Sequence, residues 1–273
     1  MNVLVSFKVV PDLDLLSGND WTVDGNCQVE TRFVKKMINP YDESALELAL
    51  KLADQAGNAG FSIDLSALTI ADSGSDLTLK SLRALGYRQA IRIAEEDDLR
   101  FAPEKVAALI TAYARQRDDF NLIFMGRQSG VGDNAKTPLI TAELLGWPCI
   151  TQVTGVTMIS QHTLQVSAIS DQGLVTRTIK PPCLLAVGNA PFSYLRVPTL
   201  RAIKEQAEQP IDVITRSDLK NTLSSLPYNP GINLIKLEPI SRKRNSVIIE
   251  GSNTAEKAEK LYQQYLKGWL TEL

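Results

Sequence analysis

Short apolar runs that each give way to a helical pattern are the feature that most narrows what this chain can fold into. Residues 2–9 are apolar and β-branched for most of their length and are stopped by Pro11-Asp12, as expected of a strand buried on both faces of a parallel sheet. Residues 61–70, 90–93 and 121–125 have the same character. Between them lie helices. Residues 41–55 put Ala45, Leu46, Leu48, Ala49, Leu50, Leu52 and Ala53 on one broad face, with acids in the first turn and Asn39 in the cap region. Asp72-Ser73-Gly74-Ser75 heads a second helix that Gly86 ends, and residues 103–117 form a third with a proline in its first turn. Residues 135–145 form a fourth, closed by Gly146-Trp147-Pro148. Strand then helix, repeated, predicts an α/β fold with a doubly wound, mostly parallel, Rossmann-like sheet.

Two stretches depart from that rhythm. Residues 13–38 hold Gly18-Asn19-Asp20 and Asp24-Gly25-Asn26, which predict a loop and a small hairpin. After Cys149 the segments ITQVTGVTMI, TLQVSAIS, LVTRTIK and CLLAVGN are separated by Gln161-His162 and Asp171-Gln172-Gly173. They predict an antiparallel hairpin extension of the sheet. From Pro191 the chain is irregular, with Pro198, Pro210, Pro227, Pro230 and Pro239 spacing out short pieces before a helix over 254–270. Such a tail has few apolar runs from which to build a core, so it is expected to pack on another chain. Residues 1–190 are therefore expected to form an α/β domain, and residues 191–273 an extended arm.

Composition removes several classes of function. The 273 residues are 44% apolar and 22% charged with a net charge of -2, which is ordinary for a globular protein. No basic stripe interleaves with aromatic residues, so no nucleic-acid partner is expected, and the Arg242-Lys243-Arg244 run is expected to be a solvated face. No window reaches the roughly 18 apolar residues of a spanning helix, so no membrane insertion is expected. The N-terminal run carries only Lys8 and no cleavage pattern, which makes the cytoplasm the expected location. Cys27, Cys149 and Cys183 match neither a zinc-ligand spacing nor a CxxC pair. The single histidine, His162, falls in a predicted hairpin turn, and GxSxG, GxxxxGK[ST] and HExxH are absent. Binding, not acid–base or covalent chemistry, is what remains.

The binding element is GRQSGVGDNAKT, residues 126–137, placed after a buried strand and at the opening of a helix. Free amides and the positive helix end converge there on an anion. Gly130 and Gly132 permit close backbone approach, Asp133 serves as a cap or a ribose partner, Lys136 supplies charge, and Thr137 offers a hydroxyl to phosphate. The loops at 6–12 and 69–73 lie at the same carboxyl edge, where open α/β sheets bind ligands. Tyr41 beside the first helix start either stacks on a ring or packs. On these residues a nucleotide-sensing module fits as well as a redox protein, and an ATP-cleaving enzyme sharing the sheet lacks its phosphate loop.

Taken together, VLVSFKVVPD, MINPYDESALELAL, LTIADSG, LRALGYRQAIRI, FMGRQSGVGD, TAELLGWP and YLRVPTLRAIK give a chain that, up to about residue 205, resembles the beta subunit of electron-transfer flavoproteins. The resemblance implies a heterodimer with an alpha subunit that carries most of the redox FAD. In such a heterodimer the beta subunit holds a structural AMP or, in electron-bifurcating relatives, a second FAD. It implies an electron carrier, not an enzyme in its own right, fed by a flavin dehydrogenase and emptied by an acceptor such as a quinone reductase. The arm would pack on the alpha subunit. Carried onto this sequence, the cofactor contacts are Ser6, Asn39, Pro40, Tyr41, Asp42, Ile70, Gly126, Arg127, Gln128, Ser129, Gly130, Val131, Gly132, Asp133, Asn134, Ala135, Lys136 and Thr137, with Tyr41 near the alpha subunit's flavin. Tyr194, Val197 and Pro198 fall on the family's docking loop. The chain departs from the conventional pattern in that Asp42 replaces a cysteine, Ala135 stands where asparagine is usual, Lys136 adds a cation suited to a diphosphate, and the arginine expected before Tyr194 is missing. The first three leave AMP and FAD both open.

Overall fold

The computed structural model describes residues 1–271 apart from 19, 133, 192, 227–233, 239–243 and 245. The predicted site residue Asp133 lies outside the described residues, as do Pro227, Pro230, Pro239, Arg242 and Lys243. Met1–Lys236 forms one compact unit and Leu237–Leu273 a second.

In the first unit the chain runs β1 (Asn2–Ser6), β2 (Val9–Pro11), β3 (Lys36–Ile38), α1 (Pro40–Asn58), β4 (Asp64–Ile70), α2 (Asp76–Ala84), β5 (Gln89–Ala94), α3 (Pro103–Arg117), β6 (Leu122–Gly126) and α4 (Thr137–Leu145). It continues through β7 (Cys149–Ser160), β8 (Thr163–Ser170), β9 (Gly173–Ile179), β10 (Cys183–Val187), α5 (Leu200–Ala207), β11 (Asp212–Thr215) and α6 (Lys220–Leu223). The main sheet has the order β11-β5-β4-β1-β6-β10-β7-β8-β9. Strands β11 through β7 in that order are parallel, and β8 and β9 close the far edge antiparallel, as the alternating segments predict.

Alternate residues of the buried strands feed two cores. Val3 and Val5 of β1, Leu122 and Phe124 of β6, and Leu185 and Val187 of β10 pack with Leu46, Leu52 and Leu79 of α1 and α2. Leu4, Ile123, Met125, Leu184 and Ala186 face the other way, onto Leu109, Ile110 and Tyr113 of α3 and Ala142 of α4. Helices thus cover both faces, and each fully buried leucine here contributes about 1.5–3 kcal/mol of burial.

Three details differ from the sequence expectation. The first strand ends at Ser6, because Lys8 N turns away to donate to Asp42 Oδ2 and Val9–Pro11 pairs with Lys36–Ile38 instead. CLLAV is not part of a hairpin: β10 lies between β6 and β7, parallel to both, with all five residues buried. Its uninterrupted apolar run is what burial on two faces produces, whereas a half-exposed hairpin strand alternates. The irregular segment after Pro191 returns one strand, β11, to the sheet edge beside β5.

The second unit holds α7 (Thr254–Leu261) and α8 (Lys267–Thr271), joined by a π turn at Tyr262–Leu266, where a single helix over 254–270 is expected. Asn253 caps α7, accepting from Glu256 N at 2.9 Å. Leu261, Tyr265, Leu266, Trp269 and Leu270 are exposed, and none of the described residues from Leu237 onward is buried.

Candidate functional site

The strand order changes direction at β1: β4 and β5 extend the sheet on one side, and β6 follows on the other. A crevice opens at such a switch point, at the carboxyl ends of β1 and β6. The backbone there is held by one carboxylate. Asp42, in the first turn of α1, accepts from Lys8 N at 2.9 Å and Asn39 Nδ2 at 3.0 Å through Oδ2, and from Gly126 N at 2.8 Å through Oδ1. It therefore ties the ends of β1 and β6 to the start of α1. Burial pushes its carboxyl up to about 6, against the pull of those three hydrogen bonds and of Lys8.

Gly126 is required by the same contact. A Cβ there would lie 2.4 Å from Asp42 Oδ1 and 2.8 Å from Asp42 N. Asn39 sits at the α1 cap position but makes no side-chain cap bond. Its amide instead spans Asp42 and Gln128 O, the latter at 2.9 Å, which leaves its buried Oδ1 without a hydrogen-bond partner among the described residues.

The turn at 126–137 is drawn inward at two further points. Lys8 Nζ donates to Val131 O at 2.9 Å, and burial lowers this ammonium's pKa although Asp42 and Asp98 oppose the shift. Asn134 Nδ2 donates to Arg100 O at 3.0 Å, and at Gly132 (φ +82°) a Cβ would lie 2.5 Å from that same oxygen. Arg100 is paired with Asp98, Nη2 to Oδ2 at 2.7 Å, and its Nη1 donates to Cys27 O. Arg127 lays its guanidinium 5.1 Å from the Tyr41 ring centre. No side chain caps the first turn of α4, so its leading amides have no intrahelical partner.

These groups surround an open cleft of roughly 150 Å³. Of the residues predicted from sequence, it is lined by Ser6, Asn39, Asp42, Ile70, Gly126, Arg127, Gln128, Ser129, Val131, Asn134, Ala135, Lys136 and Thr137. Pro40, Tyr41, Gly130 and Gly132 stand beside it without lining it, Tyr41 through its stack on Arg127 and Gly132 through its approach to Arg100 O. Phe7 and Lys8 also line it, from the edge loop at 6–12 that the sequence points to without naming them as contacts; the wall that sequence reasoning missed is Leu99, Arg100, Pro103, Val106, Ile110, Met125 and Pro138. Chemically the cavity is lined by apolar Ile70, Leu99, Val106 and Ile110 and by the start of α4, Lys8, Arg127 and Lys136, a mixture that suits a flat base joined to an anion.

The predicted docking residues lie in a segment bound to α1. Ser193 Oγ donates to Ser44 Oγ at 2.9 Å, Leu195 N to Glu43 Oε1 at 3.3 Å, and Arg196 N to Glu47 Oε2 at 3.0 Å. The Arg196 guanidinium reaches both Glu47 (2.9 Å) and Asp54 (2.8 Å), which raises its pKa. Tyr194 and Val197 point outward, 86% and 88% exposed, and Pro198 is half-buried.

Other candidates for chemistry offer little. Burial pushes the Cys149 thiol up to about 11 and the Cys183 thiol up to about 12. His162 is exposed in the β7–β8 turn. Among the described residues no cluster of His, Cys, Asp or Glu could hold a metal, and no helix is long and apolar enough to cross a membrane.

Residues 27–219 match the model of the electron transfer flavoprotein domain. The chain is 31% identical over 269 residues to a protein of Escherichia coli (strain K12) named "Putative electron transfer flavoprotein subunit YgcR", covering 98% of each. It is 28% identical over 234 residues to the mitochondrial electron transfer flavoprotein subunit beta of Arabidopsis thaliana, covering 85% of this chain and 87% of that one.

Proposed function

Because the chain belongs to the electron transfer flavoprotein beta-subunit family, we propose that it is the beta half of a two-subunit electron carrier, with a nucleotide in the cavity between β1 and β6. One observation carries the reading: a cavity at the switch point is lined both by Asn39, whose buried Oδ1 has no partner among the described residues, and by the start of α4, whose first turn no side chain caps. An adenine nucleotide fits that donor set. Thr137 and the amides of α4 would hold its phosphate, Lys8 and Lys136 would supply charge, and Ile70, Val106 and Ile110 would cover the base. AMP and a second FAD both belong to this class.

FAD, held mainly by the alpha subunit, would supply the redox chemistry between a flavin dehydrogenase and an acceptor such as a quinone reductase. This chain's residues bind and orient; none is asked to move a proton. The exposed Tyr194 and Val197 suit insertion into the dehydrogenase, and the apolar side chains of α7 and α8 suit packing on the alpha subunit. Three unpaired cysteines accord with the cytoplasm.

Co-expression with an electron transfer flavoprotein alpha subunit tests the reading. A yellow complex that keeps flavin through size-exclusion chromatography is expected. A colourless monomer that binds adenine nucleotides would instead make the chain a sensing module.

A further inference from the structure

Four adjacent acids, Glu95-Glu96-Asp97-Asp98, precede the two residues that the loop between β5 and α3 brings to the cleft, Leu99 and Arg100. The side chain of the first is buried. Lys105, in the first turn of α3, is buried too; its Nζ lies 2.9 Å from Glu95 Oε2 and also donates to Asp97 Oδ2. Lys105 is the only partner of Glu95 Oε2 among the described residues. Glu95 Oε1 accepts from Glu96 N and Asp97 N, and Asp98 accepts from Arg100 N at 3.0 Å and from the Arg100 guanidinium at 2.7 Å. A chain of contacts therefore runs from one ammonium along the loop to the backbone of Arg100. Beyond it, Arg100 is tied to other segments by single hydrogen bonds, from its Nη1 to Cys27 O and from Asn134 Nδ2 to its own carbonyl.

A buried lysine–glutamate pair adds little net stability over apolar side chains of the same volume, and the next buried positions of α3 are Ala107, Ala108, Leu109 and Ile110. The use of the pair lies in where it holds the chain. Lys105 does not line the cleft, whereas Leu99, Arg100, Pro103 and Val106, on either side of it in sequence, do.

We propose that Lys105 is the positioning residue for the base-covering wall of the cleft: it fixes residues 95–100 so that Leu99 joins Val106 and Ile110 in the lining before a ligand arrives. This rests on the nucleotide reading above and adds the residue that preorganises the site.

Calorimetric titration of the full chain, stripped of bound nucleotide, with AMP and with adenosine tests it. The double variant Lys105→Met, Glu95→Gln leaves neither member of the pair charged and is expected to weaken AMP and adenosine alike by tenfold or more, since both carry the base. Lys105→Arg is expected to stay within threefold of the unmodified chain. Trypsin should cut after Arg100 at least fivefold faster in the double variant, with its other sites unchanged. Asp97 is exposed, so Asp97→Asn is a variant expected to fold and to weaken both ligands by about threefold; it decides the matter if the double variant does not fold. Unchanged affinities, a loss for AMP that exceeds the loss for adenosine, or a Lys105→Arg variant as weak as the double variant overturns the proposal and leaves the nucleotide reading intact. Failure of the unmodified chain to bind AMP overturns both.

Discussion

The turn at 126–137 and the segment at 193–198 are both irregular, and both are fastened to α1, yet they spend their polar groups in opposite directions. In the turn, Lys8, Asn39, Asp42 and Arg100 pull the backbone inward, and an unpartnered Asn39 oxygen and uncapped α4 amides remain around a cavity. In the 193–198 segment, Ser193, Leu195 and Arg196 spend their polar groups on Ser44, Glu43, Glu47 and Asp54, and the most exposed side chains are Tyr194 and Val197. The first arrangement suits a small anion and the second a protein surface. The difference teaches that α1 serves as a common brace: Asp42 in its first turn shapes the cavity, and Glu43, Ser44, Glu47 and Asp54, from that turn to about three turns further along, hold the 193–198 segment.

Breaking the brace at its first turn has the largest expected effect. Gly126→Ala drives a methyl into Asp42 and the α1 backbone; a loss of about 3 kcal/mol or more in urea unfolding is expected, together with loss of nucleotide. An equally stable variant would show that the contact yields.

The Asp42 carboxyl gives an effect of similar size that depends on pH. Its folded-state value is raised from 3.8 to about 6, so the folded state holds the proton more tightly than the unfolded chain. Asp42's contribution to stability is therefore greatest below 3.8, falls as pH rises to about 6, and is level above that. The stability difference between the unmodified chain and Asp42→Asn should move in favour of the unmodified chain by on the order of 2 kcal/mol between pH 6 and pH 4. A difference independent of pH would place the titration elsewhere.

At the other end of the brace, Glu47→Gln should cost about 1–2 kcal/mol, because Arg196 is more than a third exposed and solvent screens the pair. Trypsin should then cut after Arg196 at least several times faster, while nucleotide affinity stays within about twofold. Faster cleavage accompanied by lost nucleotide would show that the two regions are not separable along α1. The smallest expected effect is at Ala135, where glycine relieves left-handed backbone and should add roughly 0.5–1 kcal/mol of stability.

What the sequence made legible, and what it hid, follows the same division. The turn was readable because glycines, a preceding apolar strand and a following helix are local signals; thirteen of its residues and their neighbours line the cavity. The opposite wall was not readable. Val106 and Ile110 carry the same apolar signal on α3 as the core residues beside them, and only tertiary packing turns them toward a cavity. Arg100 enters from a loop whose neighbouring acids resemble a solvated surface. Strand β10 was hidden by its position after two hairpins, although CLLAV lacks their alternation. β11 was hidden by its four residues, mostly exposed at the sheet edge. At 193–198, Tyr194 and Val197 were singled out only by the family resemblance, and their anchor Glu47 was not legible, because it is buried in the middle of an otherwise apolar helix face.

The central claim is that the β1–β6 crevice holds a nucleotide, and mass spectrometry of the purified native complex tests it most directly. The account predicts one adenine nucleotide per chain in the unmodified protein and none in Val106→Trp, whose indole would fill the half-buried apolar wall. A native complex free of nucleotide, or one that keeps it equally well in Val106→Trp, would contradict it.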